Sequence, residues 1–169
     1  NDNQMSIAEN HGGMYDQFAE LRRTNGVAEN NLFKSMGLDY LYVNDGNDIE
    51  ALIAAFEQVK DSTHPVVVHI NTLKGKGYTP AEANKEKWHW HMPFDIQTGQ
   101  SPASGSSESY ASIFAEYALK RAKTDPKFLV LMSAVPGLLG LTQERREELG
   151  KHYLDVGIAE ETAVAMASG

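Results

Sequence analysis

The chain has 169 residues and a formal net charge of −8, from 23 acidic and 15 basic residues. This balance argues against a general nucleic-acid or anionic-membrane binder, because it leaves no basic stripe for phosphates. The absence of cysteine excludes disulfides, thiolate catalysis and cysteine-ligated zinc. No apolar run approaches the roughly 20 residues of a membrane span, and residues 1–5 have neither the basic start nor the apolar stretch typical of a signal peptide. We therefore expect a cytoplasmic protein.

The first half of the sequence predicts an α/β arrangement. Helical spacing of apolar residues covers 14–23 and 27–36. Apolar runs at 40–43 and 66–70 predict two strands, and 49–60 between them carries one apolar helical face. Strand, helix and strand in about thirty residues predict a parallel pair with a right-handed crossover.

A capping signal precedes the helix of this crossover. Asn47 is followed three residues later by Glu50, the spacing of a capping box with asparagine in place of serine or threonine. We therefore expect Asn47 to be the N-cap of the helix.

The second half predicts another α/β unit, which we expect to be unfinished. Small polar residues at 98–107 indicate a linker, and a helical stripe follows at 110–123. Beyond it the pattern predicts strands at 128–132 and 153–156 and helices at 142–149 and 159–168.

Three segments carry candidate chemistry. The first, Asn-Asp-Asn-Gln-Met-Ser-Ile at 1–7, offers oxygen ligands suited to a hard divalent cation. The alternative for this segment is a solvated stretch rich in Asx turns.

The second segment, 71–78, reads Asn-Thr-Leu-Lys-Gly-Lys-Gly-Tyr directly after a predicted strand, where ligands of open α/β sheets bind. Lys74 or Lys76 can meet a phosphate there, and the alternative is a flexible basic turn. The nearby segment 88–95 holds His89 and His91 among aromatic residues, and its alternative is a packed aromatic loop.

The third segment, 154–164, places Glu160 in the first turn of a predicted helix after a strand. Taken alone, this glutamate is explained by the helix dipole, which favours acidic residues at the N-terminus.

Taken in order, NDNQMSI, LKGKGYTPAE, WHWHMPFD and LDVGIAEETAVAMASG resemble the 1-deoxy-D-xylulose 5-phosphate synthases, a transketolase-like family of thiamine diphosphate enzymes. The resemblance implies a thiamine-diphosphate-binding fold, with a parallel sheet and helices on both faces. It also implies a central fragment of such an enzyme. Residues 1–97 would be the C-terminal part of the diphosphate-binding domain, and 108–169 the N-terminal part of the pyrimidine-binding domain.

The same resemblance implies a Mg²⁺ ion on the cofactor's diphosphate. Asn3 matches the family's asparagine ligand, and Met5 matches the residue whose carbonyl oxygen also binds the metal. The family's Gly-Asp-Gly half of this site is expected upstream of Asn1.

The resemblance also implies roles for residues elsewhere in the chain. Glu160 matches the glutamate that hydrogen-bonds the cofactor's pyrimidine ring, and its apolar neighbours Ile158 and Val164 are expected to desolvate it. Ile158 is expected to contact the cofactor. Lys74 and His89 match the lysine and histidine that face the reacting carbons. Asp2, Lys76 and Glu161 are expected to support these motifs, and His91 to be structural.

The implied reaction joins pyruvate, with decarboxylation, to glyceraldehyde 3-phosphate, for isoprenoid and thiamine precursor biosynthesis. A homodimer is implied, and the isolated stretch is expected to be inactive. At 134–140 the chain reads Ala-Val-Pro-Gly-Leu-Leu-Gly where relatives read something like Ala-Met-Arg-Glu-Gly-Ser-Gly, which leaves the choice of acceptor open. The alternatives are a transketolase-type two-carbon transfer and a non-catalytic thiamine-binding remnant.

Overall fold

A computed structural model describes residues 1–9, 12–102 and 108–169. The chain divides into two compact units. Unit 1 comprises Asn1–Met5 and Asn10–Trp90, and unit 2 comprises Ser6–Glu9 and His91–Gly169. Each is an α/β arrangement with parallel strands, as the sequence predicts. Of the predicted linker at 98–107, the part at 103–107 lies outside the described residues.

Unit 1 is built on a parallel strand pair. Its β1 and β2 pair in register from Asp39 with Val66 to Val43 with Ile70, and the helix between them is the predicted crossover. The described elements of this unit are α1 (Gly13–Arg23), α2 (Leu32–Ser35), β1 (Asp39–Val43), α3 (Ile49–Val59), β2 (Val66–Ile70) and α4 (Thr79–Ala83).

The N-terminal segment extends this pair. Asp2 N donates to the Ile70 carbonyl at 2.7 Å, and Thr72 N donates to the Asp2 carbonyl at 2.9 Å. Between them, Asn71 N donates to Val43 of β1 at 2.9 Å. Since successive residues of a strand bond to opposite neighbours, β2 and its extension lie between β1 and the N-terminal segment.

Two predictions for unit 1 are wrong in detail. The helix predicted at 27–36 is only α2, because the Asn31 side chain accepts from Phe33 N and Lys34 N and so starts the helix there. The crossover helix α3 is capped by Asp48, whose side chain accepts from Glu50 N at 2.9 Å. Asn47 instead accepts from Leu73 N at 2.7 Å, a residue beyond β2.

Unit 2 encloses an aliphatic core around a second parallel pair, β3 with β4. The strand predicted at 128–132 is shorter, and a 3₁₀ turn at Pro136–Leu139 was not predicted. The described elements are α5 (Tyr110–Thr124), β3 (Val130–Met132), α6 (Gln143–Leu149), β4 (Tyr153–Asp155) and α7 (Glu160–Ser168). The buried core residues are Ala115, Ala118, Val130, Met132, Leu141 and Leu149.

Across the described ranges, no helix has the length and apolar character needed to cross a membrane.

Candidate cofactor site

Asn3 and Met5 lie at the carboxyl end of β2. The bridge between Asp2 and Asn71 places the N-terminal segment against the strand where it ends. Lys74 follows three residues after Asn71, so the structure brings the Asn3 segment and the lysine turn to the same edge of unit 1. This edge is where ligands of parallel α/β sheets bind.

Two successive Asx turns shape the segment. Asp2 Oδ1 accepts from Gln4 N at 3.1 Å, and Asn3 Oδ1 accepts from Met5 N at 3.1 Å. Gln4 has a φ of 67°, the left-handed region that non-glycine residues seldom adopt. The alternative of a solvated stretch rich in Asx turns is therefore correct about the turns. It is not correct about solvation at Asp2, whose side chain is only 10% exposed.

The oxygen atoms at this edge suit Mg²⁺. The Asn3 side-chain oxygen and the Met5 carbonyl are hard ligands, and Mg²⁺ usually keeps several waters as further ligands. Asn71 Oδ1 is buried and accepts no hydrogen bond from the described part of the chain. Such an oxygen suits a proton of a metal-bound water. The described residues form no cluster of three His, Cys, Asp or Glu side chains, so these residue types alone do not make a metal site here.

The lysine turn after β2 is packed rather than loose. Gly75 has a φ of +85°, and a Cβ there would lie 2.8 Å from the Ala81 carbonyl carbon in α4. Gly77 N donates to Glu82 Oε1 of the same helix at 2.8 Å. Helix α4 therefore packs directly against the turn that carries Lys74.

Burial lowers the pKa of Lys74. The neighbouring Lys85 lowers it further, whereas Glu86 opposes the shift. An amine with a lowered pKa gives up its proton more readily than an ordinary lysine, which suits a group that donates protons to a substrate.

His89 lies in a series of turns after α4. Its backbone N donates to Glu86 O at 3.1 Å, and the adjacent Trp88 packs edge-on against Tyr78 with ring centroids 5.0 Å apart. Since Tyr78 ends the lysine turn and contacts Trp88, the His89 turn and the lysine turn are neighbours within unit 1. His91 belongs to unit 2, where its Nδ1 contacts the Met92 carbonyl at 2.9 Å.

A buried polar network contacts the Asn3 segment through the side chain of Asp2. Asp2 Oδ2 accepts from Arg22 Nη1 and, at 2.9 Å, from His69 Nε2. His69 Nδ1 lies 2.6 Å from the Tyr40 hydroxyl. Burial acts to raise the pKa of Asp2, but the hydrogen bonds from His69 and Arg22 outweigh it, and the pKa is lowered.

Sequence reasoning missed this network. His69 is 6% exposed, and its ring contacts four aromatic rings of unit 1, Phe18, Phe33, Tyr40 and Tyr42. A signal existed, because a histidine inside a strand predicted to be buried requires hydrogen-bond partners. The identity of those partners, 67 residues away in the case of Asp2, is not contained in local spacing.

In unit 2, Asp155 ties together the ends of both strands. Its Oδ1 accepts from Ala134 N at 2.9 Å and Gly157 N at 2.8 Å, and its Oδ2 accepts from the Tyr153 hydroxyl at 3.0 Å. Ala134 has a φ of 62°, so this carboxylate stabilises an unfavourable backbone conformation. The loop after β3 and the loop that leads to α7 are therefore fixed to each other.

Glu160 is the first residue of α7 and is exposed. Ile158 is 65% exposed and Val164 is 70% exposed, so the expected desolvation of this carboxyl is wrong for unit 2 by itself. The reason is geometric: Ile158 precedes the helix, Val164 lies one turn further on, and neither reaches the core. The position of Glu160 in the first turn also fits the helix-dipole alternative.

The loop at 134–140 contains the 3₁₀ turn Pro136–Leu139, and two arginines hold it. Arg145 Nη1 donates to the Gly140 carbonyl at 2.8 Å, and Arg146 Nη1 donates to the Leu141 carbonyl at 2.9 Å. Gly140 has a φ of +67°, and a Cβ there would lie 2.8 Å from the Ala111 carbonyl oxygen. This loop presents Leu138, which is 74% exposed, without a charged side chain of its own.

Comparison with known proteins places these features in a family. The family model for 1-deoxy-D-xylulose-5-phosphate synthase matches residues 23–72, the range that contains β1, α3 and β2. The whole chain is 34% identical, over 206 aligned residues, to the 1-deoxy-D-xylulose-5-phosphate synthase of Clostridium perfringens. The chain belongs to the 1-deoxy-D-xylulose-5-phosphate synthase family. Synthases of the same name from Halothermothrix orenii and Sulfurimonas denitrificans are 38% and 41% identical over 82% and 79% of the chain.

The chain spans 33% of the length of the Clostridium relative and 22% of each of the other two. The alignment with the Clostridium synthase is longer than the chain itself, so that relative carries additional residues within the aligned region.

Proposed function

We propose that the full-length protein containing this chain is a thiamine-diphosphate-dependent 1-deoxy-D-xylulose-5-phosphate synthase. It would decarboxylate pyruvate and join the remaining two carbons to glyceraldehyde 3-phosphate. The observation that carries the proposal is the bridge between Asp2 and Asn71, since it places the Asn3 segment beside the lysine turn at the ligand-binding edge of unit 1.

The proposed roles are those that the family resemblance implies for these residues. Asn3 Oδ1 and the Met5 carbonyl would hold Mg²⁺ on the cofactor's diphosphate. Lys74, with its lowered pKa, would donate a hydrogen bond or a proton to the substrate carbonyl, and His89 would relay protons nearby. Glu160 would hydrogen-bond the cofactor's pyrimidine ring, and Ile158 would contact the cofactor. The carbanion chemistry itself is supplied by thiamine diphosphate when it is bound.

The domain assignment, the homodimer and the cytoplasmic location belong to the same proposal. Residues 1–97 would complete a diphosphate-binding domain and 108–169 would begin a pyrimidine-binding domain. A dimer is supported by the exposed apolar residues of α3, where Ile49 is 65% exposed and Ile53 and Phe56 are each 51% exposed. Sedimentation of the full-length protein at twice its monomer mass is the expected result, and a monomer at micromolar concentration would contradict it.

The test of the reaction is carbon dioxide release from pyruvate by the full-length protein with thiamine diphosphate and Mg²⁺. We expect release that depends on glyceraldehyde 3-phosphate and yields a deoxyxylulose phosphate. Turnover of a ketose phosphate donor without carbon dioxide release would instead assign a transketolase-type transfer. No turnover of either donor would indicate a thiamine-binding remnant.

A matched pair of lysine variants locates the chemistry. Lys74→Met should lower turnover by about 10²–10⁴-fold, the range expected when a proton-transfer group is removed. Lys60→Met removes an exposed lysine that pairs with Glu57 at the end of α3 and should leave turnover unchanged. Equal activity of the two variants would refute the role of Lys74.

A further inference from the structure

The polar network at the Asn3 segment consists of four side chains, and each comes from a different part of unit 1. Asp2 precedes Asn3, Arg22 lies in the last turn of α1, Tyr40 is in β1 and His69 is in β2. Their burial is high: the side chains of Asp2, Arg22 and His69 are 10%, 19% and 6% exposed.

The direction of the hydrogen bonds follows from the chemistry of the groups. The Asp2 carboxylate only accepts, so His69 Nε2 carries the hydrogen of the 2.9 Å contact. In the neutral tautomer this leaves Nδ1 to accept from the Tyr40 hydroxyl at 2.6 Å. His69 is thereby held at both ring nitrogens, and its ring plane is fixed by the surrounding aromatic rings.

Both carboxylate oxygens of Asp2 are used, and for different purposes. Oδ2 binds Arg22 and His69, whereas Oδ1 accepts from Gln4 N at 3.1 Å. That bond holds Gln4 at its left-handed φ of 67°, between the two residues proposed as metal ligands. A rotation of the Asp2 side chain would break the bond and move the backbone between Asn3 and Met5.

We propose that Arg22 and His69 are positioning residues for the metal site, which act by orienting Asp2 and, through it, the Asn3–Met5 backbone. This inference rests on the proposed function, since it concerns the Mg²⁺ that Asn3 and Met5 would hold. Such outer partners act by fixing the orientation of the residues that touch the metal.

The energetics of the network fit this role. A buried ion pair contributes little net stability, because the cost of desolvating two charges offsets most of their attraction. The ion pair nevertheless strongly constrains the geometry of its two partners, since either partner without the other would be an unpaired buried charge. The network therefore contributes more to the orientation of the Asn3 segment than to the free energy of unfolding of unit 1.

The first experiment measures Mg²⁺-dependent binding of thiamine diphosphate to the full-length protein by calorimetry. In Arg22→Met, the Mg²⁺ concentration for half-maximal cofactor binding should rise about 10- to 100-fold, while kcat at saturating Mg²⁺ stays within about twofold of wild type. The matched control is Arg23→Met, the next residue of α1, whose side chain is 71% exposed and pairs with Glu20. It should bind as wild type does.

A histidine pair tests the hydrogen bond itself. His69→Gln keeps an N–H donor near the position of Nε2 and should recover most of the Mg²⁺ affinity, whereas His69→Leu should not. If Arg22→Met or His69→Leu fails to fold, Tyr40→Phe removes a single hydroxyl and should give a smaller rise in the same direction. Lower thermal stability with unchanged Mg²⁺ dependence in all these variants would overturn the inference.

A readout without cofactor separates this inference from the proposed function. Hydrogen exchange of the Gln4 and Met5 amides should be faster in Arg22→Met than in Arg23→Met. If wild-type protein binds no thiamine diphosphate, the proposed function fails together with the metal role of the network. If wild-type protein binds it but the exchange of both amides is unchanged in Arg22→Met, only the positioning role fails.

Discussion

Unit 1 and unit 2 each hold a carboxylate at the end of a parallel strand pair, but they fix it by different means. Asp2 of unit 1 is held by two polar side chains, Arg22 and His69, that lie 20 and 67 residues away. Asp155 of unit 2 is held by two backbone amides and the Tyr153 hydroxyl, all within 21 residues.

The interiors of the two units differ in the same way. The rings around His69 make the centre of unit 1 aromatic and polar, whereas the centre of unit 2 is aliphatic. We infer that the interior of unit 1 depends on charge, and therefore on pH, because the buried Asp2 carboxylate lies in it. In unit 2 stability and the chemistry proposed for Glu160 are separable, because the core residues and this exposed glutamate are different groups.

The largest expected effect tests this separation. Glu160→Gln in the full-length protein should lower turnover by about 10²–10⁴-fold, because the glutamine cannot share a proton with the cofactor's pyrimidine. Its thermal midpoint should not move, since Glu160 is exposed in unit 2. Carbon dioxide release and calorimetric melting measure the two quantities, with Glu116→Gln on exposed α5 surface as the control. Near-normal turnover of Glu160→Gln would refute its assignment.

The aliphatic core of unit 2 gives the next largest effect. Leu141 is fully buried, so Leu141→Ala should lower the free energy of unfolding by about 3 kcal/mol. Leu138→Ala, in the same loop but 74% exposed, should change it by less than about 0.5 kcal/mol. Hydrogen exchange should show the loss in peptides from 110–155 and not in those from 39–70. Equal effects of the two substitutions would contradict the proposed core.

The charge dependence of unit 1 predicts an intermediate effect. Asp2→Asn should cost about 2 kcal/mol, because Arg22 and His69 lose a charged acceptor. Since the pKa of Asp2 is lowered in the folded unit, the unfolded chain binds more protons in acid. This stability is present above the unfolded pKa of about 3.9 and is lost as the pH falls through the lower folded value.

The measurement for this prediction is urea unfolding at several pH values between 2 and 6, for wild type and Asp2→Asn. The variant should show a shallower loss of stability below pH 4 than wild type. The same slope in both proteins would mean that Asp2 is not the group that couples unit 1 to pH.

The smallest expected effect concerns the contact between the loop after β1, at Gly46, and the residue after β2, Asn71. A Cβ at Gly46 would lie 2.5 Å from the Asn71 carbonyl oxygen, and backbone cannot easily move aside. Gly46→Ala should therefore lower the free energy of unfolding by about 1–2 kcal/mol. Gly13→Ala, at the start of α1 with no atom within 4 Å of the added Cβ, is the control and should be neutral or slightly stabilising. A neutral Gly46→Ala would mean that the loop after β1 moves freely.

The elements that sequence predicts well are those with a local cause. Period and composition gave both strands of unit 1 and α3, because apolar spacing reflects which face is buried. The Asn47 cap failed for the opposite reason. Asn47 and the adjacent Asp48 are both good caps locally, and the choice between them is made by Leu73, whose amide takes the Asn47 oxygen.

The candidate site shows the same division. Asn3, Met5 and Lys74 are assigned to the candidate site by resemblance, and the structure adds the reason that their segments share an edge, the pairing of Asp2 with the end of β2. The network of Arg22 and His69 could not be read from spacing, because it joins α1, β2 and the N-terminal segment across tertiary distance. The surroundings of Glu160 were not predictable from its apolar neighbours, since the orientation of Ile158 depends on where α7 begins.

The position of the metal in the full-length protein decides whether Asn3 and Met5 are its ligands. Crystals grown with thiamine diphosphate and Mn²⁺ in place of Mg²⁺ would locate the ion by its anomalous scattering. We predict an ion at bonding distance, about 2.1 Å, from Asn3 Oδ1 and from the Met5 carbonyl oxygen. An ion bound to the cofactor's diphosphate but away from both oxygens would contradict this prediction.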